Sequence, residues 1–125
     1  ELFFDAHTNV FEDGRENCYR LFSALLDRGR PDFTAVFSAS LEGGIVALRA
    51  LREHGLRVPD DIAVLSFGGE DALPAYLYPP LSCIEIDRTK FGEYAAELLA
   101  AALGPDSAQP RQLEIAPMLV LRESV

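Results

Sequence analysis

The sequence predicts an α/β fold with an open, mostly parallel sheet flanked by helices. Short β-branched or aromatic runs alternate with stretches of helical periodicity, a pattern typical of βαβ units. The length of 125 residues, 49% of them hydrophobic, suits one domain with its own core. Residues 62–67 form a run so apolar that we expect a central parallel strand with both faces covered.

Each predicted helix begins and ends at residues with a physical reason. Glu12 and Asp13 open the first helix, which ends at Gly29. Ser40 can cap the second helix, and Gly55 closes it in the left-handed conformation. Asp87 can cap a third helix over residues 89–103, ending at Gly104. The predicted strands are residues 2–4, 33–38, 62–67, 81–86 and 118–122. The stripes expected to be buried are Cys18, Leu21, Phe22, Leu25 and Leu26 in the first helix, Ile45, Leu48 and Leu51 in the second, and Phe91, Ala95, Leu98 and Ala102 in the third.

Charge and cysteine content exclude several classes of protein. The formal net charge is −9, with 20 acidic and 11 basic residues, so direct binding to a phosphate backbone is not expected. Cys18 and Cys83 belong to no ligand pattern, and we expect buried free thiols in a reducing compartment. Neither a membrane span nor a signal peptide is visible. Because the chain begins at Glu1 without Met, inside a predicted strand, we expect a truncated chain.

Any binding site is expected where parallel strands end. Loops and helix N-termini converge there with unsatisfied N–H groups. Three segments follow predicted strands at that edge, namely residues 7–12, 38–44 and 68–71. The alternative is that their glycines merely permit tight turns; these are Gly43, Gly44, Gly68 and Gly69.

Catalysis has little support in the sequence. His54 lies at a predicted helix C-terminus, where the dipole favours positive charge, and His7 is tied to no Ser or Cys nucleophile. Residues 40–44 lack the Lys-Ser/Thr pair of a phosphate loop. The acidic pairs at residues 12–13, 60–61 and 70–71 could bind Mg²⁺, but surface solvation explains them as well. We therefore predict no catalytic residue, no metal site and no cofactor.

Several motifs in register resemble the LacI/GalR family of bacterial regulators. They are residues 31–40, residues 47–67 with the run Val58-Pro59-Asp60-Asp61-Ile62, Tyr78-Pro79-Pro80-Leu81-Ser82, the pair Ile86-Asp87, and residues 119–124. The resemblance covers nearly the whole chain. It implies a periplasmic-binding-protein-like core, in which this chain is the C-terminal part and contains a flavodoxin-like lobe. The DNA-binding headpiece and the first lobe would be absent from residues 1–125.

The resemblance also implies where a ligand and a partner surface would lie. In the family the chain crosses between lobes near residues 84–88, and the helix matching residues 89–103 packs on the first lobe. The implied lobe or dimer interface residues are Phe91, Ala95, Leu98 and Leu99. The implied effector-binding residues are His7, Asn9, Ser40, Leu41, Gly68, Gly69 and Arg88.

Two positions depart from the family pattern. The family usually places Asn-Asp where Ser40 and Leu41 stand, and Asp-Asp where Gly68 and Gly69 stand. Those polar side chains bind sugar hydroxyls, and a buried hydroxyl without a partner costs about 1–3 kcal/mol. A less polar effector than a sugar, or none, is therefore expected.

The function implied is the effector-binding and dimerisation region of a cytoplasmic LacI-type transcription regulator. It would couple an unknown small molecule to operator DNA affinity, form a homodimer, and contact DNA only through an N-terminal headpiece. One alternative is a solute-binding protein of the same fold that serves a transporter. Another is a receiver-like signalling domain or a small enzyme, although the only lysine, Lys90, lies in a predicted helix and not beside a phosphoacceptor Asp.

Overall fold

The computed structural model describes residues 14–69, 72–104 and 112–125. They contain an open four-stranded sheet in the order β1-β2-β3-β4. Strands β1 (Ala35–Ser38), β2 (Ala63–Phe67) and β3 (Ser82–Glu85) are parallel, and β4 (Met118–Val120) pairs antiparallel to β3. The predicted α/β fold with a mostly parallel sheet is confirmed.

The described residues also contain three α-helices. Helix α1 spans Gly14–Leu26, α2 spans Leu41–Glu53 and α3 spans Arg88–Leu103, and a short 3-10 helix covers Leu73–Tyr76 between β2 and β3. Helix α2 connects β1 to β2, and α3 connects β3 to β4. The strands are one or two residues shorter than predicted at one or both ends, and α1 ends at Leu26, before Gly29. The strand predicted for residues 2–4 and the helix start at Glu12 and Asp13 lie outside the described residues.

The core lies between the sheet and the pair of helices α1 and α2. We call the side of the sheet that contacts them the inner face. From α1, Phe22 and Leu26 of the predicted stripe are buried, and from α2, Leu48 and Leu51. Ile45 of the α2 stripe is only partly buried. The inner face contributes Val64, Ser66 and Cys83, and the core cluster also includes Ala47, Ala50, Ile62 and Leu81.

The opposite side of the sheet, the outer face, is open among the described residues. By strand register its residues are Ala35, Phe37, Ala63, Leu65, Phe67, Ser82, Ile84 and Leu119, of which only Ser82 is fully buried. Phe37 is 59% exposed and Leu119 is 55% exposed. The prediction that both faces of β2 are covered holds only in part among the described residues: Val64 and Ser66 are buried on the inner face, whereas Ala63, Leu65 and Phe67 are partly buried on the outer face, because α2 lies on the inner face and α1 packs on α2.

Helix α3 departs from the buried stripe expected of its periodicity, and its exposure agrees with what the family resemblance implies for this helix without the first lobe. The sequence predicted a buried stripe of Phe91, Ala95, Leu98 and Ala102, yet no residue of α3 is buried. Phe91 is 61% exposed. The reason is positional, because α3 starts after β3 at the end of the parallel strands and does not fold back onto the core. Among the described ranges, no helix is both long and apolar enough to cross a membrane.

Ser124, near the C-terminus, connects β2 to β3 through hydrogen bonds. Ser124 is fully buried, and its Oγ donates to Val64 O at 2.7 Å and accepts from Ser82 N at 2.8 Å. Val64 N in turn donates to Ser124 O at 2.7 Å. Close by, Arg122 Nη1 donates to Leu81 O at 2.7 Å. Ser124 therefore bridges the two strands just before they begin to pair directly.

We predict that Ser124→Ala destabilises the fold by about 1–3 kcal/mol, because it leaves the buried N–H of Ser82 without an acceptor. Ser23→Ala is the matched control. Within the described residues the Ser23 Oγ is buried and has no hydrogen-bond partner, so its removal should be neutral or stabilising. Urea unfolding of both variants measures the difference, and equal losses of stability would show that the Ser124 bridge contributes nothing.

Candidate functional site

The three parallel strands end at one edge of the sheet, and we call this the carboxyl edge. Ser40 and Leu41 follow β1, Gly68 and Gly69 follow β2, and Arg88 begins the helix after β3. These five predicted effector-binding residues therefore come to the same edge, as parallel pairing requires. His7 and Asn9, also predicted for the site, lie outside the described residues.

Serine hydroxyls converge at the start of α2. Ser40 Oγ caps the helix by accepting from Gly43 N at 3.1 Å, as predicted. Ser38 Oγ donates to the carbonyl oxygen of Ser40 at 2.8 Å, and Ser66 Oγ donates to the same oxygen at 2.9 Å. Gly44 N donates to it as well, at 3.2 Å. This carbonyl oxygen therefore joins β1, β2 and the first turn of α2.

The glycines of α2 are required by close packing. A Cβ at Gly44 would lie 2.9 Å from the Cβ of Ser66, and a Cβ at Gly43 would lie 2.3 Å from Ser38 Oγ. Both distances are shorter than real Cβ contacts. These glycines let the first turn of α2 approach β1 and β2, so the alternative that they only permit turns is wrong for this pair.

After β2 the backbone turns through two residues with positive φ. Gly68 has φ +88° and Gly69 has φ +133°, conformations that residues with a Cβ rarely adopt. A Cβ on Gly69 would lie 2.8 Å from Cys83 Sγ and 2.9 Å from Pro74 Cγ. A Cβ on Gly68 would lie 3.7 Å from Leu41 N. Leu41 and Gly68, two predicted site residues, are therefore neighbours.

The third strand leads directly into α3. Asp87 caps this helix as predicted, because its Oδ1 accepts from Lys90 N at 2.9 Å. Arg88 follows as the first helical residue, with an exposed side chain. The order β3, Asp87, α3 places the start of this exposed helix at the carboxyl edge.

His54 lies away from this edge, at the C-terminus of α2. Its Nδ1 lies 2.7 Å from Ala50 O and its Nε2 lies 3.1 Å from Asp27 Oδ1. Both neighbours are acceptors, so the ring satisfies both only when it is protonated. The hydrogen bond to Ala50, followed by that to Asp27, raises the pKa of His54. This confirms the predicted capping role and links α2 to α1.

The opposite edge of the sheet holds a small cavity, but its charge is already paired. It is lined by residues that include Arg30, Phe33 and Asp61. Asp61 accepts from the backbone N and the Nε of Arg57, each at 2.9 Å. These hydrogen bonds, with the charge of Arg57 and then of Arg30, lower the pKa of Asp61 to about 2. This carboxylate therefore stabilises the loop before β2.

Two residues of the site were missed in the sequence. Ser38 and Ser66 hold the Ser40 carbonyl, yet neither was singled out as a site residue. A signal existed for Ser66, because it is a polar residue two positions after Val64 on the inner face of an apolar strand. The part of the chain that the structure describes contains no group of three or more His, Cys, Asp or Glu side chains placed to hold a metal ion. Cys18 and Cys83 are free thiols, and only Cys83 is fully buried.

The fold and this edge define a class of protein. Residues 4–125 match the family described as periplasmic binding protein-like domain, and the chain belongs to that family. The resemblance to LacI/GalR regulators is confirmed by the names of its relatives. The chain is 35% identical over 106 residues to the HTH-type transcriptional regulator GalR of Streptococcus thermophilus, which is 85% of this chain and 32% of the relative. It is 36% identical over 100 residues to the HTH-type transcriptional regulator CelR of Thermobifida fusca, covering 80% and 29%.

Solved structures agree with these relatives. A transcriptional regulator CelR–cellobiose complex has a TM-score of 0.78 and 32% identity, covering 89% of this chain and 33% of its own. A LacI family transcriptional regulator from Arthrobacter sp. FB24, in complex with lactose, has a TM-score of 0.71 and 32% identity, covering 88% and 41%. The chain spans about a third of the length of the curated relatives it matches.

We predict that Gly69→Ala destabilises the fold by about 1–3 kcal/mol more than Gly29→Ala. The two glycines have similar positive φ values, +133° and +119°, so the backbone strain of an added Cβ is shared. They differ in space, because nothing lies within 4 Å of a Cβ at Gly29, whereas Cys83 and Pro74 block one at Gly69. Thermal unfolding of the two variants tests this, and an equal loss of stability would mean that the turn after β2 is not tightly packed.

Proposed function

We propose that this chain is the effector-binding and dimerisation region of a LacI-type transcription regulator, coupling the binding of a small molecule to operator DNA affinity. The observation that carries the proposal is the carboxyl edge of a periplasmic-binding-protein-like sheet, where Ser40, Leu41, Gly68, Gly69 and Arg88 gather. Relatives named as transcriptional regulators support the same function. Residues 1–125 would form the C-terminal part of the ligand-sensing core, with the headpiece and first lobe elsewhere in the protein.

The segment between β3 and α3 would couple ligand binding to DNA binding. A ligand at the carboxyl edge would contact the segment at Asp87 and Arg88 from which α3 starts. An effector that fits one orientation of α3 better than another would shift the population of DNA-binding dimers. A coupling of about 1–3 kcal/mol, or 5–150-fold in operator affinity, is the ordinary range for such switches.

Rival functions have weaker support. A solute-binding protein of a transporter would share the fold, but the relatives and structures described above are named as regulators. We propose no enzymatic activity, because among the described residues of the carboxyl edge the serine hydroxyls donate to, or cap, the backbone and none is hydrogen-bonded to a base. A regulator of operator DNA would work in the cytoplasm.

We predict that the 125-residue chain does not bind operator DNA by itself, because its net charge is −9 and DNA contact is assigned to a headpiece outside it. The full-length protein should bind, and its affinity should change with effector. A mobility-shift assay at physiological salt compares the two. A sub-micromolar, sequence-dependent shift by the 125 residues alone would contradict the proposal that a separate headpiece contacts the DNA.

Association is proposed to involve the exposed stripe of α3. Phe91 is 61% exposed and Leu99 is 62% exposed, Ala95 is exposed, and Leu98 is partly buried. Positions 91, 95, 98 and 102 recur at helical spacing, so they form one continuous apolar surface. Burying it against a first lobe or a second copy would contribute about 25 cal/mol per Å².

We predict that the 125-residue chain sediments as a dimer or larger at micromolar concentration, and that Phe91→Glu/Leu98→Glu shifts it toward monomer. The matched control is Ala96→Glu/Ala100→Glu, which adds the same charges to a different side of α3. Sedimentation velocity distinguishes the cases. A monomeric parent, or equal dissociation of both double variants, would show that the stripe does not mediate association.

A further inference from the structure

The polar groups of the carboxyl edge are largely occupied within the protein. Each serine hydroxyl has one proton to donate, and the protons of Ser38 and Ser66 both go to the Ser40 carbonyl oxygen, at 2.8 and 2.9 Å. That oxygen also accepts from Gly44 N, so its lone pairs are taken. The Oγ of Ser40 accepts from Gly43 N. A ligand with many hydroxyls finds few partners among these groups.

Next to them lies an apolar side chain, that of Leu41 in the first turn of α2. A Cβ built on Gly68 would lie 3.8 Å from the Cβ of Leu41, so the Leu41 side chain lies next to the glycine backbone at Gly68. Gly68 and Gly69 bear no side chain, and the positive φ of both disfavours any replacement. Glycine backbone of this kind lets a ligand ring approach closely. Leu41 remains partly exposed there.

Apolar residues also border the edge on the outer face of the sheet. Phe37 lies next to the last residue of β1, is 59% exposed, and is in register with Leu65. Phe67 ends β2, is partly exposed, and is in register with Ile84. Leu41, Phe37 and Phe67 therefore give the carboxyl edge apolar side chains at the start of α2 and on the outer face, alongside the exposed side chains of Glu42 and Arg88.

Resting on the proposed function, we propose that the effector of this site presents a flat aromatic ring to Leu41 and Gly68 and is not a free sugar. A ring stacked there buries apolar surface without needing hydrogen bonds. A sugar would turn hydroxyls toward a leucine and bare backbone. Each hydroxyl left without a partner costs roughly tenfold in affinity.

The test is a titration of the full-length regulator with two ligands that differ only in the ring. Phenyl β-D-glucoside and methyl β-D-glucoside share a sugar, and only the first carries an aromatic group. By calorimetry we expect the phenyl compound to bind at least about tenfold more tightly. Cellobiose and lactose, present in the structures of relatives, should bind more weakly than the phenyl compound.

Variants of Leu41 assign the preference to this surface. Leu41→Asn should lower the affinity for the phenyl compound about tenfold and leave the methyl compound unchanged, whereas Leu41→Met keeps an apolar side chain and should retain the preference. Thermal melting of each variant checks that it folds.

Each remaining outcome overturns the inference. Equal affinity for the two glucosides, tighter binding of cellobiose or lactose, absence of phenyl glucoside binding at millimolar concentration, or a preference that survives Leu41→Asn would each do so.

Operator affinity measured in the same samples separates this inference from the proposed function. If a sugar binds tightly and alters operator affinity, the result supports the proposed function as a regulator and contradicts the aromatic ligand. If phenyl glucoside binds but neither it nor any other compound changes operator affinity, the result supports the aromatic ligand and contradicts the proposed function as a regulator.

Discussion

The close contact between helix α2 and strand β2 is the constraint on which the rest of the structure depends. It brings the first turn of α2 so near the sheet that a Cβ at Gly44 would lie 2.9 Å from the Cβ of Ser66. From this contact α2 continues along the inner face and buries Leu48 and Leu51 in the core. The contact also fixes the start of α2 at the carboxyl edge, because Ser66 Oγ donates to the Ser40 carbonyl at 2.9 Å.

The same constraint determines the chemistry of the candidate site. The hydroxyls of Ser38 and Ser66, which hold α2 against β1 and β2, donate their protons to the Ser40 carbonyl, so they stabilise the edge and do not have those protons to donate to a ligand. Beside them, Leu41 and Gly68 offer apolar surface. Structural neighbours of this chain include a regulator complex with cellobiose and one with lactose. The fold is therefore retained while the ligand preference is proposed to differ.

Two apolar surfaces are left without cover among the described residues, and they have different origins. The outer face of the sheet is open because α2 packs on the inner face and α1 packs on α2. Helix α3 is open because it begins at the carboxyl edge and is carried away from the core, with no buried residue. Apolar surface of this extent is unusual on a monomer, which agrees with a chain that spans about a third of its relatives' length.

By itself, the sequence determined the order and type of the elements, because apolar periodicity and capping residues act locally. Ser40, Gly55 and Asp87 were correctly assigned as helix boundaries from their neighbours alone. The sequence also brought Ser40, Leu41, Gly68, Gly69 and Arg88 to one edge, since parallel strands must end together. Only the tertiary structure decided which apolar stripes are buried, because burial depends on which face another element covers. For that reason Phe22, Leu26, Leu48 and Leu51 are buried as predicted, whereas the α3 stripe is not buried. The other predicted stripe residues of α1 and α2 are only partly buried, namely Cys18, Leu21, Leu25 and Ile45. The tertiary structure alone also revealed that Ser38 and Ser66 share one carbonyl oxygen, since the hydrogen bond from Ser66 reaches Ser40 across 26 positions that no local pattern relates.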